Sequence, residues 1–131
     1  MKPRILLIED DRVNAIVFQH YFQQEFDIVH LLTGYDLFDE LAKFPTDIVI
    51  LDINLGKDDI NGIKLVTAIR ENPIYNDLIV FALTGYATHG DEALFISKGF
   101  NKYIAKPVDF EFVRHIIWEA IHNKHTSNSN N

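Results

Sequence analysis

The chain has 131 residues, 47% of them apolar, with 19 acidic and 12 Lys/Arg side chains for a net charge of −7, and it has no cysteine. This is enough for one domain with a substantial core, while the acidic balance argues against a free-standing nucleic-acid binder, which needs a basic face against phosphates. Disulfides, thiol nucleophiles and thiolate metal sites are excluded, and no apolar run approaches the roughly 18 residues of a membrane span, so a cytoplasmic protein without a signal peptide or membrane contact is expected.

Short apolar runs alternate with amphipathic ones. Residues 5–8 (ILLI) read as a strand that stops at Glu9, Asp10 and Asp11. A first helix follows, with Val13, Ile16, Val17 and Tyr21 on one apolar face and His20 at its edge. Residues 28–32 form a second strand, and Leu37, Phe38 and Leu41 a second helix closed by Pro45. Residues 48–51 make a third strand ending in Asp52; Ile63, Val66, Ile69 and Arg70 mark a third helix stopped by Asn72 and Pro73. The fourth strand, 78–83, runs into Thr84 and Gly85, and a helix over 93–96 ends at Gly99. The last strand, 103–105, leads to Lys106 and Pro107, then to a helix carrying Phe110, Val113, Ile117, Ala120 and Ile121. Residues 1–123 make one domain, and 124–131 are expected to be a polar, disordered tail.

Five β-α units, several with Ile/Val/Leu throughout the strand, predict an α/β fold with a parallel sheet covered on both faces. In such a sheet the carboxyl ends of the strands share one edge, where ligands bind. That edge would carry Glu9, Asp10 and Asp52 with the Thr84 hydroxyl and the Lys106 ammonium. Clustered acids repel one another unless a cation intervenes. Hard oxygen ligands suit Mg²⁺, or Mn²⁺ in its place, and a carboxylate can itself act as a nucleophile toward phosphorus. Taken singly, each residue has a plainer reading: Asp10 or Asp11 as a helix cap, Thr84 as a turn residue, Lys106 as a surface charge.

Across about residues 3–123 the motifs "ILLIEDD", "DIVILDINL", "NGIKL", "ALTGYA" and "KGFNKYIAKP" resemble those of response-regulator receiver domains, the phosphoacceptor modules of two-component signalling. The resemblance implies a doubly wound five-stranded sheet in the flavodoxin-like order 2-1-3-4-5. It implies Asp52 as the phosphorylated residue, with Mg²⁺ held by Asp10, Asp52 and the backbone carbonyl of Asn54, and by Glu9 through water. Thr84 and Lys106 would bind phosphoryl oxygens, and Tyr103 would be the aromatic that turns inward on activation. Tyr86 and Asn54 would tune phosphate lifetime, and a cis bond is expected before Pro107. A sensor histidine kinase or histidine phosphotransfer protein would be the donor. The face made by the fourth helix, fifth strand and fifth helix would meet an unnamed downstream protein, with a weak homodimer left open.

One segment departs from the family pattern. Gly56 stands where Pro is usual, and Lys57, Asp58 and Asp59 lengthen the loop 56–61, more simply an insertion than a reshaped site. Among weaker candidates, His122 and His125 lack metal-site partners and read as solvated, and spacing leaves either Phe112 or Trp118 facing outward. Three rivals stand beside the phosphoacceptor switch. A pseudo-receiver would bind protein independently of phosphorylation. A phosphatase with an Asp nucleophile usually has a second Asp where Asn54 stands. A flavodoxin-like redox protein would need a phosphate-binding Ser/Thr-rich loop after the first strand, where the three acids would instead repel the phosphate. The reading is thus a switch that assists its own phosphorylation, not a turnover enzyme.

Overall fold

The computed structural model describes residues 2–53, 61–85 and 91–129. The elements are β1 (Arg4–Ile8), α1 (Arg12–Phe22), β2 (Asp27–Leu31), α2 (Leu37–Lys43), β3 (Ile48–Asp52), α3 (Gly62–Glu71), β4 (Ile79–Thr84), α4 (Asp91–Lys98), β5 (Lys102–Ala105) and α5 (Phe110–Ser129), with a 3-10 turn at Gly34–Asp36 before α2. The strands form one all-parallel sheet in the order β2-β1-β3-β4-β5, as anticipated. β3 is central and buried at all five positions, which explains its unbroken apolar run.

Alternation along the strands divides the core in two. Ile5, Leu7, Ile48, Ile50, Phe81, Leu83 and Ile104 pack against α1 and α5 through Ala15, Phe18, Phe22, Val113 and Ile117. The other face of the sheet, with Leu6, Ile8, Val49, Leu51, Val80 and Ala82, is covered by Leu37, Leu41, Leu65, Val66, Ile69 and Phe95 of α2, α3 and α4. The strands run nearly in step, Ile5 pairing with both Ile28 and Ile48, so their carboxyl ends reach the same edge together.

Local chemistry sets the helix ends. Asp11 caps α1 by accepting from the N–H groups of Val13 (2.9 Å) and Asn14 (3.1 Å), so this acid is committed to the helix. Asn61 caps α3 by accepting from Lys64 N–H at 3.0 Å. Gly99 closes α4 at φ +114°, a backbone conformation that disfavours any side chain. Beside it the Arg70 guanidinium donates to the carbonyls of Gly99 (2.8 Å), Asn76 (3.1 Å) and Leu78 (2.6 Å) and to Asn101 Oδ1 (2.9 Å). One side chain thereby fastens α3 to the start of β4 and to the turn between α4 and β5.

Several surface expectations are corrected. The stripe expected to bury α1 faces outward: Val13 is 67% and Ile16 62% exposed, Val17 and Tyr21 are also exposed, and Ala15, Phe18 and Phe22 occupy the core instead. The helix carries two apolar stripes, and the one with two phenylalanines removes more surface from water. His20 is correspondingly exposed, not half-buried. Among the described side chains of α4 only Phe95 is buried, while Leu94 and Ile96 are exposed. Phe112 and Trp118 both face outward, at 47% and 42% exposure, where only one of them was expected to.

The polar segment expected as a tail from residue 124 continues α5 as helix to Ser129. Val113, Ile117 and Ile121 fix the helix in the core, and each further residue then adds a bond without a new nucleus. Arg114 locks α5 to α1. Its guanidinium donates Nε–H to both carboxylate oxygens of Glu25 (2.7 and 3.0 Å), pairs with Glu111, and lies 5.1 Å over the Tyr21 ring. Trp118 Nε1 donates to the same Glu25 at 3.2 Å. Among the described residues no helix is long and apolar enough to cross a membrane.

Candidate functional site

Three polar side chains are buried within the described residues: Glu9 (1% exposed), Asp52 (1%) and Thr84 (2%). All three stand at carboxyl ends of strands. Glu9 follows β1, Asp52 ends β3 and Thr84 ends β4, where Asp52 pairs with Leu83, one residue short of Thr84. Thr84 pairs with Ala105 on β5, and its carbonyl accepts from Lys106 N–H at 2.8 Å, which sets Lys106 just beyond the sheet edge. The Lys106–Pro107 bond is cis, as expected.

From there the Lys106 ammonium reaches back into the pocket. Nζ lies 2.8 Å from Asp52 Oδ2 and 3.5 Å from Glu9 Oε1. Asp10 completes the cluster at the solvent rim: one oxygen each from Glu9, Asp10 and Asp52 lie within 4.8 Å of one another. Glu9 Oε2 is buried and has no hydrogen-bond partner among the described residues.

The electrostatics follow from this crowding. Burial, then the hydrogen bond to Asp52 and the Asp52 charge, push the Glu9 carboxyl from its ordinary 4.5 up to about 8, against the opposing pull of Lys106 and Asn14. Burial alone would lower the Lys106 ammonium, but its hydrogen bond to Asp52 and the charges of Asp52 and Glu9 outweigh that and raise it. Three carboxylates against one ammonium leave the pocket short of positive charge. A hard divalent cation fits such a donor set, and the orphaned Glu9 oxygen is a ligand atom in waiting.

Tyr103 on β5 is half-buried, its ring centroid 5.8 Å from that of Phe95 on α4. The expectations placed on Asn54, Tyr86 and loop residues Gly56, Lys57, Asp58 and Asp59 lie outside the described residues. Gly62, part of the "NGIKL" motif, sits against the end of β3. A Cβ there would come within 2.9 Å of Ile53 Cα and 3.0 Å of the Asp52 carbonyl oxygen.

Sequence reasoning missed two neighbours of Glu9. Asn14, one turn into α1, lines the same cavity of about 200 Å³ as Glu9 and Lys106. His30 on β2 places Nε2 2.6 Å from the Glu9 carbonyl oxygen. The signal for His30 was available once β2 is set beside β1, because it then falls next to the acidic turn.

Known proteins bear on this arrangement. The chain is 29% identical over 123 residues to the TorCAD operon transcriptional regulatory protein TorR of Escherichia coli O157:H7, covering 90% of this chain and 51% of that protein. It is 34% identical over 107 residues to the aerobic respiration control protein ArcA of Escherichia coli K12, covering 80% of this chain and 42% of ArcA. The chain thus spans about half the length of these curated relatives, or less. A solved CheY-like response regulator receiver domain protein from Methanospirillum hungatei shares the fold, with a TM-score of 0.82 over 97% of this chain and 99% of that one at 19% identity. The family model for the response regulator receiver domain matches residues 5–117, and the chain belongs to that family.

Proposed function

We propose that this receiver domain is a phosphorylation-operated switch in which Asp52 accepts a phosphoryl group from a phosphohistidine on a sensor histidine kinase or histidine phosphotransfer protein. The observation that carries the reading is the Lys106 ammonium 2.8 Å from Asp52, beside a cluster of three carboxylates with one orphaned oxygen. A solvated surface of acids would not bury Glu9, Asp52 and Thr84 together at one sheet edge.

In this mechanism an Asp52 carboxylate oxygen attacks phosphorus, the phosphorus–nitrogen bond of the donor breaks, and the departing imidazole nitrogen takes its proton from water. Phosphoryl transfer is chiefly a matter of positioning and of neutralising charge on the equatorial oxygens. Glu9, Asp10 and Asp52, with the carbonyl of Asn54, would hold Mg²⁺ or Mn²⁺, which supplies part of that neutralisation. Lys106 supplies another part by turning from the bare carboxylate to a phosphoryl oxygen, and Thr84 offers its hydroxyl to a third. Those two residues then draw on β4 and β5, Tyr103 adjusts its packing on Phe95, and the surface of α4, β5 and α5 changes for a downstream protein. The role is that of a switch assisting its own modification, not of an enzyme with turnover on a separate substrate.

The uncovered stripe on α1 supports a protein donor. Val17 borders the cavity that also contacts Glu9 and Lys106, so the exposed side chains of Val13, Ile16 and Val17 extend from the pocket across the adjacent helix. A partner bringing a phosphorylated ring to Asp52 would have apolar surface to cover. Intact mass after incubation with Mg²⁺ and acetyl phosphate tests the reading. One phosphate adduct is expected on the wild type and none on Asp52→Asn; no adduct on the wild type leaves a protein-binding module that works without phosphorylation.

A further inference from the structure

We infer that His30 is a positioning residue of the acidic pocket: its ring donates Nε2–H to the Glu9 carbonyl and thereby holds the peptide from which Glu9 and Asp10 project toward a cation. The inference rests on the reading of that pocket as a divalent-cation site.

The case starts from an account of backbone hydrogen bonds. Every buried N–H and C=O needs a partner. The β1–β2 ladder ends with Ile8 opposite Leu31, and Glu9 N–H makes the last backbone bond, to the Leu31 carbonyl at 3.0 Å. The Glu9 carbonyl lies past the end of β2, where the ladder offers it no further rung. The His30 ring takes that place at 2.6 Å, and because a carbonyl only accepts, Nε2 must carry the proton. Adjacent residues of β2 therefore hold Glu9 at both ends, Leu31 through its backbone and His30 through its side chain.

The face is right for this task. His30 pairs with Leu7, whose side chain lies on the α1 and α5 side of the sheet, and Glu9 is two residues on from Leu7 along the same strand. His30 is itself half-buried. The carbonyl it grips belongs to the Glu9–Asp10 peptide, so fixing that plane fixes the direction in which the chain leaves toward Asp10. The Glu9 side chain meets Asp52, Asn14 and, at 3.5 Å from Oε1, Lys106, but all of these act on the carboxyl and none of them holds the Glu9–Asp10 peptide. Groups that hold a ligand residue without touching the metal typically alter affinity by one or two orders of magnitude.

The test uses the whole chain at pH 8, with Mg²⁺ dissociation constants from calorimetry and amide hydrogen exchange at Glu9 in metal-free protein. His30→Leu and His30→Asn, which lack a donor or cannot reach, should weaken Mg²⁺ binding about tenfold and speed exchange at the Glu9 amide. His30→Gln, with a longer amide donor, should recover most of both. Gln19→Leu is the control, because Gln19 also bonds to β2, donating to the Ile28 carbonyl at 3.3 Å, but away from the pocket. Its Mg²⁺ affinity should stay at the wild-type value. The inference is overturned if His30→Leu and His30→Asn bind Mg²⁺ as the wild type does, if Gln19→Leu weakens it equally, or if His30→Gln fails to recover. A wild type that takes up no Mg²⁺ overturns the cation reading itself, and the role of His30 falls with it.

Discussion

Replacing Lys106 with methionine keeps most of the stem's apolar volume and removes the ammonium between two buried acids. At 2.8 Å from Asp52, with an effective dielectric constant near 20, the gross attraction is about 6 kcal/mol, while Glu9, raised to about 8, is mostly protonated at pH 7 and adds little. Most of that is cancelled by the cost of desolvating the three groups. Truncating one partner of a buried pair costs about 3–5 kcal/mol because the other charge is left stranded. Here Glu9 can relieve part of the strain by keeping a proton, since its carboxyl titrates at about 8. The expected loss in Lys106→Met is therefore at the lower bound, about 3 kcal/mol at pH 7. With a urea slope of about 2 kcal/mol/M, this moves the unfolding midpoint of metal-free protein down by about 1.5 M. Mg²⁺ should behave in the opposite way. The ammonium and the divalent ion compete for the same oxygens, so Lys106→Met should bind Mg²⁺ more tightly and regain most of its stability when saturated. A midpoint within about 0.3 M of wild type, or weaker Mg²⁺ binding, would refute the reasoning, because it would mean that Lys106 is not the counter-charge of the pocket.

Three further outcomes are expected. The Glu9 carboxyl is raised in the folded state, so the stability it lends is fully present below about pH 4.5 and is lost as pH climbs toward about 8. Urea midpoints of metal-free protein should accordingly fall over that window, a trend flattened in Glu9→Gln, and Mg²⁺ uptake at pH 7 should release protons in calorimetry run in buffers of different ionisation enthalpy. Gly62→Ala drives a methyl against the backbone of Asp52 and Ile53, so it should cost about 1–3 kcal/mol in urea unfolding and slow adduct formation at Asp52 by shifting the end of β3. Ile16→Lys places a charge on the exposed stripe of α1; it should cut phosphotransfer from a protein donor roughly tenfold, about 1–2 kcal/mol of docking energy, while leaving the acetyl phosphate reaction unchanged.

The legible parts of this molecule are those set by short-range pattern. Five apolar runs announce the strands, and the residues that stop the first, third, fourth and fifth are the candidate site, because a parallel sheet delivers all strand ends to one edge. Glu9, Asp52, Thr84 and Lys106 could therefore be grouped before any coordinates. Choice between competing local patterns was less legible. On α1, Val13, Ile16 and Val17 make as regular a stripe as Ala15, Phe18 and Phe22, and only the packing of Phe18 and Phe22 on Phe110 decides which enters the core. As helix caps Asp10 and Asp11 were equally good by pattern, and it is Asp11 that caps while Asp10 joins the cluster. Contacts between distant segments were not legible. Arg70 reads as part of an amphipathic helix, and its four bonds depend on where the turns around Asn76 and Gly99 come to rest.

The Arg70 fastening has a mechanical consequence. It grips the chain at the C-terminal end of α4, at the glycine whose φ is positive, while the other end of that helix points to the edge of the sheet that carries Asp52. Among its described side chains only Phe95 is sunk in the core, with Leu94 and Ile96 left outside. A rod tethered at its foot and lightly keyed in the middle is held against sliding more firmly than against tilting, and a tilt would move most the tip nearest the carboxylates. The opposite flank, riveted by Arg114 and Glu25, supplies the fixed frame against which such a tilt is measured.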